Sequence, residues 1–439
     1  MQTILITNAK LVNEGSTQAA DVLIKNGRIE NIAPSLSAEG ADQVIDAQGK
    51  ALLPGMIDCH VHCREPGLEQ KADLHSETRA AVAGGVTSIM EMPNTKPAAV
   101  TNAVLEEKFA LAATKCVANY SFHLGASNSN LDELLAMDPK TVCGVKLFMG
   151  ASTGNLLVDR TEQLENIFGQ VQVPISLHCE DTNTIRANEK AAREKYGEAI
   201  PFSEHWKIRS EQACYQSTAL AVELATKYGS QIHVLHLTTA KELGLFKAGT
   251  VDTKKITAEA CPHHLWFSAE DYETLGALIK CNPAIKTAAD RAALRQALLD
   301  DVVDTVGTDH APHLWEEKQH PYGSAPSGLP VIQSAIVSLL EYLPLETVAE
   351  KTAHNPARIF KTLDRGFIRE GYWADLVLVD TETPHTVSKE NIEYKCGWSP
   401  FEGVTFNSSI AATLVNGQLA FSNGKVDGAI RGQRLLFDR

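Results

Sequence analysis

What this chain lacks narrows its identity first. No apolar run approaches the ~20 residues that a membrane-spanning helix needs, and the first residues have none of the charged-then-apolar build of a secretory leader. A soluble, cytoplasmic protein without a membrane partner is expected. No Cys-x-x-Cys occurs among the nine cysteines, whose number is odd and whose spacing is irregular. That argues for reduced thiols rather than a disulfide framework. Lysine and arginine form no run, and 54 acidic side chains outnumber 40 basic ones, for a formal charge of -14. A nucleic-acid binder would show the opposite balance, so no nucleic-acid partner is expected. A small anionic substrate stays open, because one buried arginine outvotes a distant net charge. No glycine-rich phosphate loop opens the central region, which counts against a doubly wound dinucleotide-binding sheet.

What is present is globular: 439 residues, 44% hydrophobic and 21% charged, enough for a large core and more than one domain. Residues 1–50 carry short alternating segments broken by Asn26-Gly27 and Gln48-Gly49, and residues 366–439 repeat that style with Asn416-Gly417 and Asn423-Gly424. Asn-Gly between alternating runs is a strong hairpin signal. Neither end suffices for a β domain, so together they predict one small β-sandwich, 1–50 its first part and 366–439 its second. Residues 51–365 alternate short apolar strands with Ala-, Leu- and Glu-rich helical stretches. Strand candidates end near His62, Asn94, Gly125, Phe148, His178, His236, His263 and Asp309. Most are spaced by about 30 residues, the length of a βα unit. The exception is an insertion from Asn188 to Trp206, before a helix at roughly 208–228. This is the arithmetic of an α/β fold of the (β/α)8 TIM-barrel type.

The placement of the histidines carries the chemistry. His60 and His62 end the first strand and share one face, because side chains alternate along a strand. His178 ends strand five, His236 strand six, and Asp309 strand eight. Each follows apolar or small residues and would be a costly buried polar group if it stood alone. Converging on one barrel mouth, they form the N/O ligand set of Zn²⁺ or a similar ion. His233 has the opposite parity to His236 and reads as structural. Lys146 lies inside the apolar strand Gly144-Val145-Lys146-Leu147-Phe148, where burial lowers an amine's pKa. A neutral amine can add CO2 to become a carbamate, an anion able to bridge two metals.

Five blocks carry a family resemblance. Asp58-Cys59-His60-Val61-His62-Cys63-Arg64-Glu65-Pro66-Gly67 resembles the signature of dihydroorotases within the amidohydrolase superfamily, as does Gly307-Thr308-Asp309-His310-Ala311-Pro312-His313 followed by Lys318. Met92-Pro93-Asn94-Thr95, Gly144 to Phe148, and Cys281-Asn282-Pro283-Ala284-Ile285-Lys286 are similar to further blocks in the same order. The Arg-Glu-Pro-Gly segment narrows the resemblance to the cyclic-amidohydrolase branch.

The resemblance implies a reversible cyclisation of N-carbamoyl-L-aspartate to L-dihydroorotate, a step of pyrimidine biosynthesis. It implies two zinc ions per subunit, one on His60 and His62 with Asp309, the other on His178 and His236, bridged by carboxylated Lys146. Asp309 would take a proton from the attacking water and deliver it to the leaving nitrogen. Arg64 would bind the substrate carboxylate, with Asn94 and His313 as further carboxylate contacts. His62 would also touch substrate, Asn282 would contact the ring, and Ser327 and Gly328 would line the pocket with backbone groups. Allantoinases similar to this chain place Asn where it has Arg64. A homodimer and association with an aspartate carbamoyltransferase are further implications. Two features depart from the pattern. A large bacterial group uses an aspartate in the loop after strand four, where this chain has Ala151-Ser152-Thr153-Gly154-Asn155 and no acid until Asp159; the bridge therefore goes to Lys146, and the Ser152-Thr153 loop is read either as a lid over substrate, like similar loops, or as an ordinary βα loop. His263 and His264 follow strand seven, which supplies no ligand in the family, so these two are read as supporting the ligands or as structural, and His123 and Glu180 stay unassigned. The alternatives are another cyclic amidohydrolase, an allantoinase or hydantoinase, and a catalytically inactive scaffold.

Overall fold

The computed structural model describes residues 2–150 and 156–439; the expected lid at 151–155 lies outside the described residues. Strands β1 (Thr3–Asn13), β2 (Ser16–Lys25), β3 (Arg28–Ala33), β4 (Gln43–Asp46) and β5 (Ala51–Pro54) come from the first part of the chain. Strands β6 (Met56–Val61), β7 (Val86–Glu91), β8 (Asn119–Gly125), β9 (Gly144–Phe148), β10 (Ile175–His178), β11 (Ile232–Val234), β12 (Ile256–Ala260) and β13 (Thr305–Val306) form the eight-stranded parallel sheet. The last part adds β14 (Leu376–Asp380), a small pair β15 (His385–Thr386) and β16 (Thr405–Phe406), then β17 (Ser409–Val415), β18 (Gln418–Ser422) and β19 (Lys425–Val426).

Both ends of the chain build one nine-stranded sheet, in the order β19-β18-β17-β14-β5-β1-β2-β3 with β4 also on β1. The sheet folds over at β1: Ile4 to Thr7 pair with β4, and after a bulge Lys10 and Leu11 pair with β5. Strand β5 holds the two ends together, parallel to β1 on one side and antiparallel to β14 on the other. Alternation explains the enclosed core, where Ile4, Ile6, Val22, Ile24, Leu376, Leu378 and Leu414 are all buried. The Asn-Gly turns adopt the positive φ that such hairpins require, at Asn26-Gly27 and Asn416-Gly417 among others. These two turns touch: a Cβ on Gly417 would stand 2.6 Å from the Gly27 Cα, so glycine is needed for the close approach.

The barrel strands are buried on both faces, as parallel strands covered by helices must be. Ile89, Phe122, Leu124, Val145, Leu147, Ile175 and Leu177 belong to the main core, and each buried side chain of this size contributes about 1.5–3 kcal/mol. Helix Leu74–Ala83, between β6 and β7, starts at an Asp73 cap whose carboxylate accepts the Ser76 N–H, and it stops at Gly84-Gly85. The barrel closes through a parallel bridge between Val61 and His310. Asp58 clamps that seam, accepting the Thr308 N–H at 2.9 Å and the Thr308 hydroxyl at 2.5 Å. Among the described residues no helix is long and apolar enough to cross a membrane.

At the N-terminal end of the barrel strands a buried polar network joins barrel to sheet. Asp375 accepts hydrogen bonds from the Asn119 amide (3.1 Å) and the Asn416 N–H (2.7 Å), and it pairs with Arg365. Arg365 also donates to Asn416 Oδ1 at 2.9 Å, and Asn416 donates to Asn119 Oδ1 at 2.8 Å.

Candidate active site

At the opposite end, the C-terminal mouth, lies a cavity of about 340 Å³. His60, His62, Arg64, Asn94, Lys146, His178, His236, Asn282, Asp309, His313, Ser327 and Gly328 all line it, with Phe148, Ala311 and Pro326. Every residue that the sequence placed in the site thus converges on one volume. The four imidazoles form a continuous chain: ring centroids are 5.6 Å apart for His62 and His60, 5.3 Å for His60 and His236, and 4.7 Å for His236 and His178.

The strands deliver these groups differently from expectation in three places. Strand β6 ends at Val61, so Arg64 does not arrive by strand alternation; it turns in with φ 68°. His236 and Asp309 lie beyond β11 and β13, with φ 43° and 48°. Such left-handed residues cost about 1–3 kcal/mol each and persist where the surroundings over-determine them. Strand seven stops at Ala260, and His263 and His264 sit on the short helix Pro262–Trp266 rather than at a strand end.

Three of the four rings have a partner that sets the tautomer. His60 donates Nδ1–H to Glu259 Oε1 at 2.8 Å, and His62 donates Nδ1–H to Asn94 Oδ1 at 2.7 Å. Both therefore present an Nε2 lone pair to Asp309 Oδ1, at 3.2 and 3.1 Å. Burial pushes His62 down to about 4, and it pushes His178 and His236 down as well, which keeps these imidazoles neutral. His178 donates Nε2–H to Glu180 Oε2 at 2.9 Å and turns Nδ1 towards His236 Nε2, also at 2.9 Å. Lys146 is buried between these groups, its Nζ 4.7 Å from the Phe148 ring, and burial pushes its amine down to about 8.

Also lining the cavity, Arg64 donates Nε–H to the Pro312 carbonyl at 3.0 Å, which orients its fork, and its Nη2 stands 3.0 Å from His313 Nε2. Burial and the charges of Arg64, Lys71 and Lys318 keep His313 neutral. Asn282 Oδ1 is buried without a hydrogen-bond partner among the described residues. Gly328 has φ 143°, and a Cβ there would stand 2.5 Å from the Ala311 carbonyl. Lys318 ties this rim down by donating to the Pro326 and Gly328 carbonyls at 2.9 and 3.0 Å. Outside the cavity, His233 bonds Thr257 and Thr305, and His123 bonds Ser176.

Comparison with known proteins decides the family: the amidohydrolase family model matches residues 51–420. The chain belongs to the amidohydrolase family. It is 31% identical over 421 residues to a dihydroorotase of Methanosarcina acetivorans, covering 92% of this chain and 89% of that protein. It is 30% identical over 433 residues to an allantoinase of Bacillus velezensis, covering 96% and 94%. Among solved structures, an L-hydantoinase (dihydropyrimidinase) from Arthrobacter aurescens superposes with a TM-score of 0.91 at 25% identity, covering 97% of each chain.

This amidohydrolase therefore stands among cyclic-amide hydrolases, in a family that is generally metal-dependent. The donor set fits a cation. His60 Nε2 and His62 Nε2 each lie within 3.2 Å of Asp309 Oδ1, and the three atoms lie within 4.8 Å of one another; with both Nδ1–H groups committed elsewhere, these are acceptors facing acceptors, which repel unless a cation lies between them. Sequence reasoning missed Glu259, a completely buried acid behind the site. It binds His60, accepts the His236 N–H at 3.2 Å, and takes the Cys59 thiol at 3.3 Å. Its signal was the one that exposed Lys146: a charged residue inside an apolar barrel strand, Ile256-Thr257-Ala258-Glu259-Ala260.

Proposed function

We propose that this amidohydrolase is a dihydroorotase that interconverts N-carbamoyl-L-aspartate and L-dihydroorotate. The observation that carries the reading is Arg64. It is the one guanidinium among the described residues lining the cavity, it is nearly fully buried, and its Nε–H is held by the Pro312 carbonyl. A buried fork of this kind matches a carboxylate bidentately. Dihydroorotate carries a carboxylate on its ring, whereas allantoin and the hydantoins carry none at that position. The unpartnered Asn282 Oδ1 suits a ring N–H, because a buried acceptor left empty costs about 1–3 kcal/mol.

In this reading His60, His62 and Asp309 would hold one zinc ion and His178 and His236 a second, and Lys146 would serve the site as a carbamate. When bound, the ions supply a Lewis acid for the amide carbonyl and water that ionises near neutral pH. The protein does the rest. Lys146, with its amine pushed down to about 8, is partly neutral at physiological pH and can add CO2, releasing one proton and becoming an anion. Asp309 accepts the proton of the attacking water and passes it to the ring nitrogen as the C–N bond breaks, ending as the carboxylate it began as. Arg64 holds the substrate carboxylate, Asn282 orients the ring, and Ser327 and Gly328 form the floor on which it lies.

An assay with dihydroorotate, allantoin, hydantoin and dihydrouracil tests the substrate. Turnover of dihydroorotate is expected; opening of allantoin or hydantoin with dihydroorotate untouched would transfer the enzyme to those relatives' activity. The bridge has its own test. Lys146→Ala should lose at least one ion by metal analysis and regain part of its activity with a short carboxylic acid, and unchanged metal content would rule the carbamate out.

A further inference from the structure

The segment between β10 and the helix Glu211–Tyr228, which contains the insertion, reaches the site at two points. At one, Glu180 accepts the His178 Nε2–H at 2.9 Å, and its carboxylate is paired in turn with the Arg209 guanidinium. Glu180 is completely buried and Arg209 largely so. Arg209 follows the short helix His205–Ile208, with its own N–H on the His205 carbonyl at 2.9 Å. At the other point, His205 donates Nε2–H to the Cys281 carbonyl, next to Asn282, and accepts the Tyr322 hydroxyl on Nδ1, both at 2.8 Å.

A lone imidazole has two tautomers and two ring orientations of similar energy, and only one of the four combinations places an Nδ1 lone pair towards His236. An anionic acceptor on Nε2 removes the ambiguity, because the N–H must face it. A carboxylate in so dry a place keeps its charge only if paired, and Arg209 provides the pair. His60 and His62 are oriented by Glu259 and Asn94, which belong to the barrel. For His178 the orientation depends instead on a cation that directly follows the insertion.

We propose that Glu180 and Arg209 are positioning residues that lock the His178 tautomer and thereby set how tightly the His178–His236 pair retains a divalent ion. The inference rests on the metal reading above. Its test uses the full-length zinc-loaded protein, challenged with a chelator while ions per chain are counted over time. Glu180→Gln and Arg209→Met should each release one of two ions about 10–100-fold faster than the unmodified protein, the usual cost of losing such a partner, while the other ion leaves at its original rate. Arg209→Lys should restore most of the retention. His205→Phe cuts the insertion's other anchor and should leave both release rates unchanged. Unaltered ion release in Glu180→Gln and Arg209→Met overturns the proposal. So does equally fast release in His205→Phe, which would make the effect a general loosening of the insertion. An unmodified protein that never holds two ions overturns the metal reading itself, before any variant is compared.

Discussion

The barrel of this amidohydrolase carries buried polar clusters at both ends, and they are built on opposite principles. At the junction with the terminal sheet, Arg365, Asp375, Asn119 and Asn416 satisfy one another, donor to acceptor. At the mouth, the His60 and His62 lone pairs face the Asp309 carboxylate, and Asn282 Oδ1 faces nothing among the described residues. Both clusters carry the same kind of desolvation cost. The first offsets it internally and needs no ligand; the second leaves it standing until a cation and a substrate arrive. Saturation therefore separates the structural cluster from the chemical one more cleanly than burial does.

The sharpest way to break the comparison is at the mouth. Asp309→Ala should lower kcat by 10³-fold or more, since a positioned acid–base contributes about 10²–10⁴ and one ligand is lost with it. Metal should largely remain, because the imidazoles persist. Metal analysis beside steady-state kinetics checks this, and retained turnover would remove the proton-transfer role.

At the junction the expected outcome is reversed. Arg365→Met leaves Asp375 as a buried charge without its cation, which costs about 3–5 kcal/mol of stability. It should appear as a lower denaturation midpoint with kcat/KM unchanged. A drop in kcat/KM at full folding would mean that the two ends are not independent.

His354 gives a pH-dependent version of the same contrast. It accepts the Glu14 N–H at 2.9 Å and donates to the Gly366 carbonyl at 2.7 Å, so the fold satisfies its neutral form, and burial pushes it down to about 4. The unfolded chain takes up this proton near pH 6.5. The stability that the neutral ring contributes is therefore complete above about 6.5 and is lost as the pH falls towards 4, up to about 3 kcal/mol at 1.36 kcal/mol per pKa unit. Chemical denaturation of the protein and of His354→Gln across that range should show the difference between them closing as the pH falls.

The smallest effect sharpens substrate choice. Arg64→Gln should cost dihydroorotate about 1.5–3 kcal/mol of binding, or ~10–100-fold in kcat/KM, as for one charge-assisted hydrogen-bonded contact. A ring without the carboxylate should lose far less. Equal losses for both would show that Arg64 acts through the fold.

How much of this was legible in the residues varies along the site. His60 and His62 were readable because strand alternation is local, and His178 because it ends an apolar strand. Lys146 stood out as a charge in an apolar run. Glu259 gave the same signal and was passed over, since its partner His60 lies 199 residues away. Arg64 lines the cavity, but through a left-handed turn and not through the continued strand read from the sequence; either would bring it inward. The strand lengths at β11, β12 and β13 were overestimated: hydrophobic pattern marks burial, and buried residues beyond a strand's last hydrogen bond look the same as those within it.

Local rules were enough for what depends on near neighbours: the alternating ends of the chain, the eight βα units, the Asn-Gly turns, and the chemical type of each site residue. Tertiary structure alone decided which nitrogen of each imidazole faces the cavity, which acid stands behind it, and which polar groups stay unsatisfied. Those are properties of pairs brought together from distant strands, and a lone pair acquires a direction only when something else in the fold holds the proton.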